Sequence, residues 1–163
     1  MRRRYSGVIA SSALIAALYG FGTWVISPIA YGPIQVRLTD TLLMLCYLNE
    51  IGYAAILGNT IGVLIANYLS PYGAWDLALG LLANLSVGVL IYMCGKREIP
   101  PLFAGVIASM VIALIIGVGL LGMVFNLPME VGFIGVFLGE AISLILLGVP
   151  LLESLRKRIQ ERR

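Results

Sequence analysis

Long apolar stretches alternate with short polar or glycine- and proline-rich connections along the chain. The apolar residues form continuous runs, which indicates helices that are apolar on every side. A membrane β-barrel is disfavoured, because its strands would alternate between apolar and polar side chains. We predict an all-α protein with helices at about 6–26, 38–51, 52–69, 74–95, 101–125 and 130–150, followed by a tail at 151–163.

Composition shows which solvent these helices face. The chain has 163 residues, of which 60% are hydrophobic, and its mean hydropathy is +0.99. A helix of about 20 apolar residues spans the ~30 Å hydrocarbon core of a bilayer, so we predict an integral membrane protein with a single transmembrane domain. The second predicted helix is the exception, since residues 38–51 rise only roughly 20 Å.

The distribution of positive charge predicts the topology. Lysine and arginine concentrate at Arg2–Arg4, at Lys96 and Arg97, and from Arg156 to Arg163. The positive-inside rule places all three groups on the cytoplasmic side of the cell membrane. Six crossings bring them to one face, with both termini cytoplasmic, whereas five would separate them. The second helix therefore counts as a short or tilted crossing. A signal peptide is the alternative for the first helix, but its apolar part is long for one.

Polar side chains within the apolar runs need a partner, a cavity or a functional reason, because a carboxylate at the bilayer centre costs about 2.5–3.5 kcal/mol. On the six-helix topology these side chains share the extracytoplasmic half of the membrane. The set comprises Asp40, Asn67, Asp76, Asn84, Glu130 and Glu140. They predict a polar pocket open to the outside. The 27–37 loop, with Gln35 and Arg37, either acts as its lid or is a turn whose arginine extends to the lipid headgroups.

Spacing predicts which helix faces point inward. Asp76, Gly80, Asn84 and Gly88 recur every four residues and therefore share one face. In the last helix, Gly132, Gly135, Gly139 and Ser143 form a packing face. Glu130, Phe133, Phe137 and Glu140 form another face, on which carboxylates flank aromatic rings. That face either contacts lipid or binds a flat heterocycle with NH groups.

The first helix carries small residues in overlapping patterns, including Ala13-xxx-Ala17 and Ser12-xxx-Ala16. Such patterns are typical of surfaces where another helix approaches closely. The spacing leaves open whether that helix is internal or belongs to another subunit.

Several chemistries are excluded or disfavoured by residues that the sequence lacks. There is no histidine, no GxxxxGK[ST] and no GxSxG motif, and Cys46 and Cys94 have no metal-type spacing. We expect no cofactor and no metal site. The basic clusters flank membrane spans directly, so they suit lipid headgroups better than nucleic acid.

Three segments resemble one protein family. "GPIQVRLTDTLLML" (Gly32 to Leu45) and "GNTIGVLIANYLSPYGAWDLALGLLANL" (Gly58 to Leu85) are similar to signature segments of the QueT family, and "GEAISLILLGVPLLESLRK" (Gly139 to Lys157) is similar to its closing helix. QueT proteins are queuosine-precursor transporters that act as substrate-binding S components of energy-coupling-factor (ECF) importers. The resemblance implies a six-helix S-component bundle that binds its substrate from outside and docks on a transmembrane coupling subunit carrying two ATPases.

Carried over residue by residue, the family pattern includes Gln35, Arg37, Asp40, Asn67, Asp76 and Glu140, with Asp40 where glutamate is usual. With Asn84 and Phe137 these form the expected site for a small planar base such as a deazapurine. The resemblance also favours Ala13 and Ala17 as the docking surface for the coupling subunit. The alternatives are an intramembrane enzyme that uses Asp and Glu, or a structural subunit without a ligand.

Overall fold

A computed structural model describes residues 2–31 and 35–161, with side-chain detail from Ser6 onward. Within these ranges every regular element is a helix, which confirms the all-α prediction. The helices are α1 (Arg2–Val25), α2 (Ser27–Ala30), α3 (Leu38–Tyr47), α4 (Gly52–Asn67), α5 (Gly73–Lys96), α6 (Pro101–Val124) and α7 (Met129–Glu161). Four of them, α1, α5, α6 and α7, are long and apolar enough to cross a membrane. The count of six crossings stays a prediction.

The second predicted helix differs from expectation in kind. α3 is a 3₁₀ helix of ten residues that ends at Tyr47, not an α-helix reaching residue 51. Its Leu43, Met44 and Cys46 are completely buried, because α3 runs through the interior of the bundle and packs on α1, α4, α5 and α7. A 3₁₀ helix rises about 2.0 Å per residue, so these ten residues cover roughly 20 Å.

Hydrogen bonds between side chains and backbone connect α3 to the helices around it. The Asn59 amide donates to the Leu42 carbonyl oxygen at 3.1 Å, and Thr41 Oγ1 donates to the Ser143 carbonyl oxygen at 2.9 Å. Backbone carbonyl groups inside the bundle need such side-chain donors, since water cannot reach them. Contacts with other helices therefore hold α3 in a 3₁₀ geometry that its hydropathy alone does not favour.

The last helix is longer than predicted. The sequence predicts its end at about residue 150, but α7 continues as a helix to Glu161, so residues 151–161 of the predicted tail are helical. A π-helical stretch, Ala141–Gly148, precedes the proline. A widened turn accommodates a residue that lacks an N–H group and crowds the preceding turn. The continuation is anchored by Leu152, which is completely buried.

The bundle has two chemically distinct ends. Lys96, Arg97, Arg156, Lys157 and Arg158 mark the basic end, where the Tyr47 hydroxyl donates to the Ile99 carbonyl oxygen at 2.7 Å. The far end contains the last turn of α1, the first turn of α5 and the residues leading into α3. There, Trp24 of α1 and Tyr31 both donate to the Ala66 carbonyl oxygen near the end of α4. Which end faces the cytoplasm stays a prediction.

Glycines allow helix backbones to approach closely at two contacts. Gly58 and Gly62 of α4 lie against Ile15 and Tyr19 of α1, and Gly117 of α6 lies against the Gly132 backbone of α7. A Cβ atom built on Gly117 would be 2.5 Å from the Gly132 carbonyl oxygen. Gly132, Gly135, Gly139 and Ser143 are all buried, which confirms the predicted packing face of α7.

The Gly117→Ala variant is expected to destabilise the protein by about 1–3 kcal/mol, because the added methyl group forces α6 and α7 apart. Gly119→Ala is the matched control, since its nearest contact would be the Leu114 carbonyl oxygen at an ordinary 3.6 Å. Thermal unfolding of both variants in one detergent measures the difference. Equal unfolding midpoints would contradict the close contact between α6 and α7.

A buried polar cluster as the candidate functional site

Seven polar side chains converge in the far half of the bundle, and each is at most 4% exposed. We call this set the polar cluster; it consists of Gln35, Arg37, Asp40, Asn67, Asp76, Asn84 and Glu140. The residues come from the segment before α3 and from α3, α4, α5 and α7. Asp76, Gly80, Asn84 and Gly88 are all buried, so the inward face predicted for α5 is confirmed.

Arg37 is the cation of the polar cluster. Its Nη2 atom lies 3.9 Å from Asp76 Oδ2, and its guanidinium carbon lies 5.4 Å from the centre of the Tyr31 ring. The 3.9 Å separation is an ion pair but is longer than a hydrogen bond. Asp40 and Glu140 are buried carboxyl groups of the same cluster, so one guanidinium is buried together with three carboxyl groups.

Asp40 connects three helices. The hydroxyl group of Tyr19, on α1, donates a hydrogen bond to Asp40 Oδ1. The carboxyl group of Glu140, on α7, lies beside that of Asp40. The backbone N–H of Asp40 donates to the Arg37 carbonyl oxygen at 2.8 Å, which orients the first turn of α3.

The two asparagines join α4 to α5. Asn67 Nδ2 donates to the backbone carbonyl oxygen of Asp76 at 2.8 Å, and Asn84 Nδ2 contacts the backbone carbonyl oxygen of Asn59 at 3.5 Å. Gly80 makes the first contact possible, because a Cβ atom there would collide with Asn67 Nδ2. The glycine in the predicted four-residue repeat therefore makes room for a polar side chain.

The segment before α3 lies directly on α7. The backbone carbonyl oxygen of Gln35 occupies the space that a side chain on Gly139 would fill, and the Val36 N–H donates to the Ile29 carbonyl oxygen at 3.3 Å. Because position 139 is glycine, the segment before α3 packs on α7 at the residue next to Glu140. Residues 32–34 of the predicted 27–37 lid lie outside the described residues, and the lid role stays a prediction.

Many polar atoms in this region have no hydrogen-bond partner within residues 2–31 and 35–161. The acceptors are both carboxylate oxygens of Asp76, Glu140 Oε2, Asn67 Oδ1 and Asn59 Oδ1; the donors are Gln35 Nε2 with Arg37 Nε and Nη2. Each buried polar group left unpaired costs about 1–3 kcal/mol. Such a concentration of unpaired groups is typical of a binding site, since a ligand can supply the missing partners.

Comparison with known proteins gives this arrangement a context. The family described as "QueT transporter" matches residues 9–157 of the chain. The chain belongs to the QueT transporter family. It is 35% identical, over 104 residues, to the queuosine precursor transporter QueT of Lactococcus lactis subsp. cremoris (strain MG1363). The aligned region covers 60% of this chain and 59% of that relative. No solved structure matches the chain.

Family membership confirms the resemblance seen in the three sequence segments and the membrane-transport class that it implied. A QueT transporter with four helices long enough to cross a bilayer is a multi-pass membrane protein. The site residues carried over from the family pattern are close together in this fold. Their role in binding stays a prediction.

Two further sequence predictions can be placed in this QueT structure. Phe137 lies almost one turn before Glu140, half-buried, with its ring parallel to that of Phe133 and 6.1 Å away between centroids. Ala13 is exposed on α1 and Ala17 is half-buried, whereas Ser12 and Ala16 are buried within the bundle. Glu130 lies exposed in the first turn of α7 and is not part of the polar cluster.

Two residues of the site were missed by sequence reasoning. Tyr19 lies within the first apolar run, and its hydroxyl group contacts Asp40. Asn59 also lies within an apolar run; its Nδ2 atom donates to the Leu42 and Ala55 carbonyl oxygens, and its Oδ1 atom has no partner within the described ranges. Asn59 lies eight residues before Asn67, and that spacing could have signalled a shared helix face.

A cavity lies at the basic end, but it is less suited to specific binding than the polar cluster. This cavity of about 540 Å³ is lined by Tyr47, Glu50, Glu98 and Arg156, among others. Glu50 and Glu98 are exposed, and Arg156 already contacts Glu153 and the Tyr47 ring. Water can satisfy exposed carboxylates, so this cavity lacks the unmet hydrogen-bonding demand of the polar cluster.

Replacing Arg37 with methionine is expected to destabilise this QueT protein by about 3–5 kcal/mol, because three buried carboxyl groups lose their cation. Arg156→Met is the matched control. Its ion pair with Glu153 has a separation of 3.1 Å, but the side chains are 39% and 44% exposed, and surface pairs contribute ~0–1 kcal/mol.

Thermal unfolding of both arginine variants in the same detergent tests this difference. A loss of stability in Arg37→Met no larger than that in Arg156→Met would contradict the charge balance assigned to the polar cluster.

Proposed function

We propose that this QueT family member is the substrate-binding S component of an ECF importer, and that it takes up a queuosine precursor or a related deazapurine base. The observation that carries the proposal is the polar cluster, whose unpaired donors and acceptors lie side by side in an apolar bundle. Family membership and the name of the Lactococcus lactis relative support the choice of substrate.

The chemistry of the unpaired atoms fits a flat base with both NH and carbonyl groups. Carboxylate oxygens of Asp76 and Glu140 accept hydrogen bonds from ring and amino NH groups, which deazaguanine-type bases carry on one edge. Gln35 Nε2 and the Arg37 guanidinium donate to a ring carbonyl oxygen. A base of this kind satisfies both classes of unpaired atom, whereas a purely apolar ligand would satisfy neither.

Other residues orient the base. Asn84 fixes its position from α5, and Asn67 presents Oδ1 while its amide nitrogen holds the Asp76 backbone. Phe137 offers a ring face for stacking, which is worth about 0.5–1.5 kcal/mol beyond the area that it buries. The base enters from the extracytoplasmic side when the 27–37 segment moves, since the polar cluster is covered in this structure.

The partners in this proposal are a transmembrane coupling subunit and two ATPase subunits. The chain has no GxxxxGK[ST] motif of its own, so energy for release comes from those partners. The exposed Ala13 and the half-buried Ala17 form the docking surface on α1. Small residues there permit close approach of a helix from the coupling subunit.

Asp76→Asn and Glu140→Gln are each expected to weaken binding of the aminomethyl deazaguanine precursor about 10- to 100-fold, because a hydrogen bond to a charged group contributes about 1.5–3 kcal/mol. Isothermal titration calorimetry of the purified chain measures the affinity. Glu98→Gln is the matched control, because Glu98 lies at the basic end and outside the polar cluster.

Wild-type affinity in both cluster variants would remove the site assignment. Mass analysis of the recovered ligand separates the functional classes: an S component returns it unaltered, while an intramembrane enzyme converts it. No binding of the precursor, guanine or B-type vitamins by the wild type would favour a structural subunit.

A bulky side chain on the docking surface is expected to prevent assembly. Ala13→Trp should abolish co-purification of the coupling subunit while leaving ligand affinity within twofold, because Ala13 is exposed and outside the polar cluster. Leu57→Trp is the matched control on α4, since Leu57 is 52% exposed on a different face. Co-purification of the Ala13→Trp chain with its partners at wild-type yield would place the docking surface elsewhere.

A further inference from the structure

Tyr19 is the strongest unassigned feature of the site. Its side chain is completely buried in α1, and its hydroxyl group donates to Asp40 Oδ1. One phenol therefore contacts Asp40 of the polar cluster, although it comes from α1, which contributes no residue to that cluster.

The Tyr19 ring is fixed in position by close helix packing. It lies against Gly62 of α4, where an added Cβ atom would be 2.6 Å from Tyr19 Cβ. One turn away in α4, Gly58 lies equally close to Ile15. Because the α1 and α4 backbones approach so closely at this point, and because Tyr19 is completely buried, its side chain has little room to move.

A second contact between α1 and α3 supports the first. Thr23 Oγ1 and Thr39 Oγ1 are 2.7 Å apart, one helical turn beyond Tyr19 and one residue before Asp40. Gly22 leaves room for the Thr39 methyl group, which would be 2.8 Å from a Cβ atom at position 22. α1 thus holds two consecutive residues at the start of α3 through two hydroxyl groups.

The position of Asp40 determines what its neighbours offer a ligand. The Asp40 carboxyl group lies beside that of Glu140, whose Oε2 atom has no partner within the described residues. Arg37, the cation of the polar cluster, is three residues before Asp40. A carboxyl group already held in place loses less conformational freedom on binding, so more of its interaction energy contributes to affinity.

We propose that Tyr19 is a positioning residue for ligand recognition, which acts by holding the Asp40 carboxyl group in the geometry that the base requires. This inference rests on the proposed function. It gives α1 a role within the binding site in addition to the docking role assigned to its exposed face.

A double-mutant cycle tests the inference. Affinity for the aminomethyl deazaguanine precursor is measured by calorimetry for the wild type, Tyr19→Phe, Asp40→Asn and the double variant. Tyr19→Phe keeps the packed ring and removes only the hydroxyl group, and we expect about tenfold weaker binding. In the Asp40→Asn background the same substitution should change affinity less than twofold, because the carboxylate that it positions is gone.

Tyr47→Phe is the matched control. The Tyr47 hydroxyl also donates a buried hydrogen bond, to the Ile99 carbonyl oxygen at 2.7 Å, but at the basic end. We expect this variant to lower the unfolding temperature without changing ligand affinity. If Asp40→Asn yields no folded protein, the comparison of the two tyrosine variants still decides, because a merely structural role for Tyr19 would lower stability alone.

The outcomes are distinguishable. Wild-type affinity in Tyr19→Phe, or a tenfold loss that persists in the Asp40→Asn background, would overturn the positioning role and leave the proposed function intact. A wild-type chain that binds neither the precursor nor guanine would overturn the proposed function, and this inference with it.

Discussion

The burial of one guanidinium group among three carboxyl groups is the constraint on which the rest of the structure depends. Arg37 lies 3.9 Å from Asp76, with Asp40 and Glu140 nearby, and all four are nearly inaccessible to solvent. Charges in a medium of low polarity must be matched, and removing one partner costs several kcal/mol. The bundle therefore has to bring segments that are distant in sequence to one point at the far end, and to hold them there.

Close backbone contact at small residues makes that convergence possible. Gly139 allows the Gln35 carbonyl group to lie directly on α7, and Gly80 makes room for the Asn67 amide against α5. α3 takes the remaining central space as a 3₁₀ helix, which is thinner and longer per residue than an α-helix. The Asn59 amide donates to the Leu42 carbonyl oxygen of α3, and Thr41 of α3 donates in turn to the Ser143 carbonyl oxygen of α7. Close helix packing and hydrogen bonds to buried polar groups thus support each other around α3.

α1 connects the interior of the bundle to its surface. Its inner face carries Tyr19 and Thr23, which contact the start of α3, and its outer face carries Ala13. When other helices pack on both faces of a helix, a displacement on one face moves the contacts on the other. Packed interfaces shift between discrete arrangements and do not deform gradually. In an importer of the proposed type, docking on one face of α1 and ligand binding behind the other would be mechanically linked.

The sequence by itself determined the helical class, the membrane environment and most members of the polar cluster. Continuous apolar runs indicate membrane helices, and a carboxylate or amide within such a run stands out because it is costly there. Asp40, Asp76 and Glu140 were identified for that reason. The motif "GPIQVRLTD" identified Gln35 and Arg37 and the family to which the chain belongs.

Only the tertiary structure decided the form of α3, the continuation of α7 to Glu161 and the participation of Tyr19. Hydropathy cannot distinguish a helix that faces lipid from one enclosed by other helices, since both are apolar. A tyrosine in an apolar run reads as a hydrophobic residue, and its hydroxyl group gains a role only when another helix places a carboxyl group beside it. Which polar groups meet depends on helix rotation and on close approach at glycines, and neither is encoded in local periodicity.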